Sequence, residues 1–369
     1  MSVRLSVRFA VLLGLLALTA AGAAAKERVV NVYNWSAYIA PDTLARFTKA
    51  TGIKVRYDTY GDNETLDAKL MTGDSGYDVV FPSSSPFFAQ QVKAGIYRKL
   101  DYARIPNAKG LDKRVMARLA KVDPGNAHGV PYMMAATGIG YNVAEVKKLL
   151  PDAPVNSWAM LFDPKVVSVL KKCGVTLLDT PLEVVPAMLD YLGRDPEEQD
   201  DAALKAAMDA LTPLRHDYRY LNSEKYRDDL VSGDICVAQG YVGDLVQVRR
   251  RAEEAGDKRK IAIVIPKQGA VVNIDVMAIP KDAPHPRAAE EFINFILRPD
   301  VIGDITNAVG YANAVPASLK YVKPSIKDDP VIYPPPAVEK RLFSALPPAS
   351  FAFERKRTRA WTRFRAGLR

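Results

Sequence analysis

Tyr33-Asn34-Trp35-Ser36-Ala37-Tyr38-Ile39-Ala40-Pro41 is the stretch on which the reading of the fold turns. Val29, Val30, Val32 and Tyr33 predict a strand that ends at a Trp, a Ser and a Tyr, and Pro41 then opens a helix. Aromatic faces and a hydroxyl therefore stand at the carboxyl end of the first strand. That is the edge on which open α/β sheets bind ligands.

Downstream, residues 29–82 alternate strand, helix, strand, helix, strand. Leu44, Phe47 and Ala50 give an apolar helical face that Gly52 stops, and Ile53, Val55 and Tyr57 alternate as a half-buried strand. Leu66 and Leu70 mark a second helix closed near Gly73, and Tyr77 to Phe81 is a buried strand followed by Pro82 and Ser83. This alternation predicts a parallel sheet, with the loops holding Trp35/Ser36 and Ser83 opening on one edge.

A second α/β block covers roughly 140–250. Between the two blocks runs an extended segment from Val130 to Tyr141; Ile261 to Ile265 and Asp275 to Ile279 read as further strands. The chain is expected to cross to a second lobe near 135 and to return near 255. The fold class is thus α/β and two-lobed, with a double-crossover hinge and a ligand cleft between lobes. Lobe 1 is expected to hold residues 26–134 plus 255–316, and lobe 2 residues 135–254 plus 317–369.

Upstream, residues 1–25 read as an export signal. Arg4 and Arg8 precede an apolar run from Phe9 to Ala21, and Ala23-Ala24-Ala25 offers small residues for cleavage. The run is short for a membrane span and no Cys directly follows it to carry a lipid anchor, so a soluble, exported protein is expected; a monomer is expected as well. An apolar fraction of 48% and a charged fraction of 25% are those of a folded chain, not a disordered one. Without Arg4 and Arg8 the formal charge falls from +9 to +7. Much of the excess lies in Arg355 to Arg369, where Trp361, Phe364 and Leu368 recur at helical spacing. An amphipathic terminal helix with a solvated basic face explains this better than nucleic-acid binding. Cys173 and Cys236, an even pair in an exported chain, read as a disulfide or else as two buried thiols.

Catalytic motifs are poorly supported. Gly138-Ile139-Gly140 begins like a dinucleotide fingerprint, but Val143 stands where the third Gly belongs. Ser168 and Lys171 match a Ser-x-x-Lys pattern without the accompanying Lys-Thr-Gly or Ser-Asp-Asn. His128, His216 and His285 are isolated, which disfavours a metal centre or a Ser-His-Asp triad. Neither enzymatic activity nor a cofactor is expected. What remains are aromatics and carboxylates near strand ends: Glu183, Asp244, Asp275 and Tyr311. Each alone fits a cap, a loop carboxylate or a packing residue equally well.

Taken together, the chain resembles the periplasmic polyamine-binding proteins of bacterial ABC importers, most of all the putrescine-binding branch. The resemblance runs in order through Tyr33-Asn34-Trp35-Ser36, Thr51-Gly52-Ile53-Lys54-Val55, Pro131-Tyr132-Met133, Thr137-Gly138-Ile139-Gly140-Tyr141-Asn142, Gly233-Asp234-Ile235-Cys236 and Ile332-Tyr333-Pro334-Pro335. It implies a type II binding-protein fold, a Cys173–Cys236 disulfide and an inner-membrane permease as partner. It implies that Trp35, Tyr241 and Tyr311 flank a methylene chain, with Ser36, Tyr38, Ser83 and Ser223 as further contacts. Glu183, Asp244 and Asp275 would face the ammonium groups. Two departures stand out. The family's putrescine binders carry Asp where this chain has Ala37 and an aromatic where it has Asn273. Loss of a carboxylate partner for a buried ammonium costs about 2–5 kcal/mol unless replaced, so an altered amine preference is expected. The rival functions are a polyamine sensor subunit, a Ser/Lys hydrolase, or a receptor for another cationic solute. A ligand bearing a carboxylate would need a cationic anchor, and none stands out in the sequence.

Overall fold

Strand β1 (Val29–Trp35) buries Val30, Val32 and Asn34 on one face, as the period of two requires. It leads into the helix Thr43–Thr51, which Gly52 ends in a left-handed conformation at φ 70°, its N–H bonded to the Thr48 carbonyl. Strand β2 (Lys54–Tyr60), the helix Asn63–Met71 and strand β3 (Val79–Val80) follow, as the alternation predicts. β1 pairs in parallel with both β2 and β3. The computed structural model describes residues 28–256, 260–344 and 349–368. The expected export signal at 1–25 lies outside them.

Two long strands carry the chain between lobes. β4 (Gly129–Asn142) pairs antiparallel with β9 (Ala270–Ala278) over its first half. Its second half pairs with β7 (Val237–Tyr241) and β8 (Ile261–Val264). β5 (Val175–Leu177) and β6 (Tyr220–Leu221) complete the second sheet in parallel with β7. The strand order is β2-β1-β3-β9-β4-β7-β5-β6. Two short strands, β10 (Ala312–Asn313) and β11 (Leu342–Phe343), join β4 and β9 respectively.

The apolar interior divides accordingly. One core gathers Phe47, Phe81, Tyr132, Phe292 and Ile305. Another gathers Trp158, Phe162, Leu177, Trp361 and Phe364, beside a third around Leu245, Val322 and Ile332. β8 pairs with Ile139–Asn142 in the second half of β4, while β9 pairs with Gly129–Ala136 in its first half. β9 also begins five residues before the expected start at Asp275, so Asp275 lies inside a strand. Cys173 and Cys236 form a disulfide, with Cα atoms 5.4 Å apart. The terminal helix Phe351–Arg365 buries Phe353, Trp361 and Phe364, but Leu368 lies beyond its end and is exposed.

Candidate ligand cleft

At the crossing, Ala135 on β4 sits opposite Asn273 on β9, and both line a cavity of about 180 Å³. All ten residues singled out from the sequence line it: Trp35, Ser36, Tyr38, Ser83, Glu183, Ser223, Tyr241, Asp244, Asp275 and Tyr311. Ala37 does not; it stands outside the lining with a left-handed backbone at φ 55°.

The first lobe contributes an aromatic wall. The Trp35 indole and the Tyr60 hydroxyl both donate to the Phe81 carbonyl, each at 2.7 Å, and their rings lie 4.7 Å apart. Ser36 bonds the Tyr60 carbonyl through its N–H at 3.1 Å and its hydroxyl at 3.3 Å. The end of β1 fixes Trp35 and Ser36, which is why the sequence located those two.

Asp275 is buried at the end of this wall. Tyr38 and Ser83 each donate a hydroxyl to it at 2.7 Å, and an isolated bridge pairs Ser83 with Asp275. Burial raises its pKa to about 6, against the lowering effect of the two hydroxyls.

The second lobe supplies two carboxylates from helix first turns. Thr180 caps the helix Pro181–Tyr191 by accepting from the Leu182 N–H, with Pro181 at its first position, so Glu183 faces the cleft. Glu183 accepts a bond from the Asn273 amide at 3.3 Å through Oε1, while buried Oε2 has no partner. Desolvation pushes its pKa up to about 8, opposed by the Thr137 hydroxyl and helped by the charge of Asp275. Asp244 opens the helix Val242–Glu254. It accepts hydroxyls from Tyr226 and Tyr311, each at 3.0 Å. Burial raises its pKa, while Arg227 and the two hydroxyls oppose the rise. Gly240 and Gly243 leave room for those rings; a Cβ at Gly243 would meet Tyr311 at 2.2 Å.

Tyr241 flanks the cavity, its N–H bonded to the Tyr226 hydroxyl at 3.1 Å. The Ser223 hydroxyl accepts from the Asp179 N–H at 3.1 Å, so it also braces a cleft wall. The sequence reading missed Tyr60, Asp62, Glu224 and, above all, Arg227. Arg227 sits in the polar run Glu224–Asp229, which gives no sign that one of its members turns into the cleft. The Ser168 and Lys171 pair does not converge: Ser168 bonds the Lys165 carbonyl, and Lys171 pairs with Asp217 at 2.7 Å. Among the described residues no His/Cys/Asp/Glu group is arranged to hold a metal, and no helix is long and apolar enough to cross a membrane.

Two lobes tied by β4 and β9 around a cleft of aromatics and buried carboxylates define a solute receptor. The chain belongs to the bacterial extracellular solute-binding protein family, whose model matches residues 42–334. It is 48% identical to the putrescine-binding periplasmic protein SpuD of Pseudomonas aeruginosa, covering 96% of this chain and 98% of SpuD. It is 44% identical to the putrescine-binding periplasmic protein PotF of Escherichia coli, covering 96% and 95%. Among solved structures, the spermidine/putrescine transporter substrate-binding protein PotD of Streptococcus pneumoniae superposes with a TM-score of 0.78 at 24% identity. That match covers 92% of this chain and 99% of PotD, and it shows the shared fold.

Proposed function

We propose that this chain is a periplasmic receptor that captures a polyamine, putrescine or a related amine, and delivers it to an inner-membrane ABC permease. It performs no chemistry and acts as a monomer. The observation that carries the reading is the meeting of Glu183, Asp244 and Asp275 with Trp35, Tyr241 and Tyr311 in one cavity. A polyamine is a flexible cation whose ammonium groups need carboxylate partners once they leave water. Aromatic faces cover its methylenes and attract its charges, at about 0.5–2 kcal/mol each. The putrescine-binding relatives, alike over nearly their full lengths, support the same class of ligand. The basic surface opposes capture weakly, because salt screens charge beyond about 8 Å while the carboxylates lie at the ligand.

Among the described residues we propose a first lobe of 28–134 plus 274–316 and a second of 136–256, 260–272, 317–344 and 349–368, following the apolar cores. Export to the periplasm rests on the leader-like residues 1–25. Because position 37 supplies no carboxylate and Asn273 offers an amide beside Glu183, amine preference departs from simple putrescine capture. Calorimetric titration with putrescine, cadaverine, spermidine and spermine tests the reading. Saturable binding of at least one is expected; absence of binding to all four overturns it.

A further inference from the structure

The two ends of the cleft are not alike. At one end Asp275 has only hydroxyl partners, Tyr38 and Ser83, and Glu183 Oε2 has none. Among the described residues no Lys, Arg or His forms an ion pair with either carboxylate. At the other end Asp244 has both oxygens engaged by Tyr226 and Tyr311, and a cation already stands beside it. That cation is Arg227, from the helix Tyr226–Ser232, with Nη1 3.9 Å from Asp244 Oδ2. Its Nη2 lies 3.9 Å from Glu224 Oε1, and its Nε donates to the Glu224 carbonyl at 3.2 Å. These long ion-pair distances leave donors of the guanidinium open to the cavity, which Arg227 lines at 29% side-chain exposure.

We infer that Arg227 sets the ligand's second end: it fills the cation place at Asp244 and offers its fork to an oxygen acceptor. The inference rests on reading the cleft as an amine receptor and names the subclass of amine. The preferred ligand has one ammonium, seated against Glu183 and Asp275, and a carbonyl or carboxylate oxygen at the Arg227 end. A polyamine capped by an acyl group and an ω-amino acid share that chemistry. A diamine with two free ammonium groups must instead bring a second cation against a guanidinium in a desolvated cleft, where like charges repel strongly. Arg presents five donors in a planar fork suited to such an oxygen.

The test compares three ligands of similar length by calorimetry: putrescine, its mono-N-acetyl derivative and 5-aminopentanoate. The full-length mature protein is titrated beside Arg227→Met, which keeps the aliphatic stem without the charge. The native protein is expected to bind at least one acceptor-bearing ligand tenfold or more tightly than putrescine. Arg227→Met is expected to gain tenfold or more for putrescine and to lose as much for the acceptor-bearing ligand. A stronger response to the acetyl compound identifies the capped amine; a stronger response to the amino acid identifies the zwitterion. Native preference for putrescine over both overturns the inference and needs no variant, so a poorly folding variant does not protect it. Tight putrescine binding unchanged by Arg227→Met removes Arg227 while leaving the amine reading intact. No binding of any of the three to either form overturns the inference, and the amine reading falls with it only if cadaverine, spermidine and spermine also fail to bind.

Discussion

Tyr38 and Tyr311 meet edge to face, ring centroids 5.1 Å apart and planes at 82°. Each gives its hydroxyl to a different carboxylate: Tyr38 to Asp275 at 2.7 Å, Tyr311 to Asp244 at 3.0 Å. One ring pair thus positions both ends of the cleft. Asp244 retains Tyr226 and Arg227 if Tyr311 loses its hydroxyl, whereas Asp275 keeps only Ser83 if Tyr38 does. A hydrogen bond to a charged group is worth about 1.5–3 kcal/mol. Tyr38→Phe is therefore expected to weaken amine binding about tenfold or more, and Tyr311→Phe distinctly less. Titration of both variants checks the ranking, and equal losses would contradict it.

Protonation gives a second expectation. Glu183 faces the Asn273 amide and the negative charge of Asp275, with no cation paired to it among the described residues. With its pKa near 8, free Glu183 is largely neutral at pH 7, while Asp275, near 6, is largely ionised. An ammonium favours the ionised form, so binding expels a proton and affinity rises with pH until Glu183 ionises unaided. Stability moves the other way. Both folded values lie above the ordinary carboxylate range, so the native state binds more protons than the unfolded chain between that range and about pH 8. The unliganded protein should lose melting temperature as pH rises through that window. Calorimetry in buffers of different ionisation enthalpy should report proton release near pH 7, and Glu183→Gln should abolish most of it.

How much of this was legible depended on where each residue sits. Trp35, Ser36 and Ser83 stand at the ends of strands whose period of two is plain in the sequence, so the sheet itself announces their edge. Glu183 and Asp244 follow strand-to-helix turns and were visible for the same reason. The start of β9 is read five residues late because the strand continues through the hinge, with Asn273 and Asp275 inside it and no turn residue marking the passage. The lobe of β8 is hard to read because its apolar run fits either sheet; its register against Ile139–Asn142 ties it to the second half of β4. Arg227 was invisible because a polar helix face shows no preference between water and a cleft supplied by another lobe. Helical periodicity describes one element, whereas the cleft depends on how two elements are turned toward each other.

Gln239 lies in the middle of β7, fully buried, with neither amide atom hydrogen-bonded. An unsatisfied buried polar group costs about 1–3 kcal/mol, and an apolar side chain of similar size avoids that cost. Gln239→Leu is expected to raise the stability of the unliganded protein by about 1 kcal/mol or more. Denaturant melts read the change directly. A clear destabilisation would mean that the amide is satisfied by ordered water and contributes to the second lobe.

Gly243 decides whether Tyr311 can reach Asp244. A Cβ there would meet Cε2 of the Tyr311 ring at 2.2 Å, far inside contact distance. By helix propensity alone, Gly243→Ala in the first turn of Val242–Glu254 should stabilise the chain, by up to about 1 kcal/mol. The clash should reverse that sign, since overpacking costs about 1–3 kcal/mol, and the displaced ring should release Asp244. The two effects separate in a double-mutant cycle. With Tyr311→Ala already present, the space is open and Gly243→Ala should become neutral or stabilising. If Gly243→Ala destabilised both backgrounds equally, the close approach of Tyr311 would not be what requires glycine at this position.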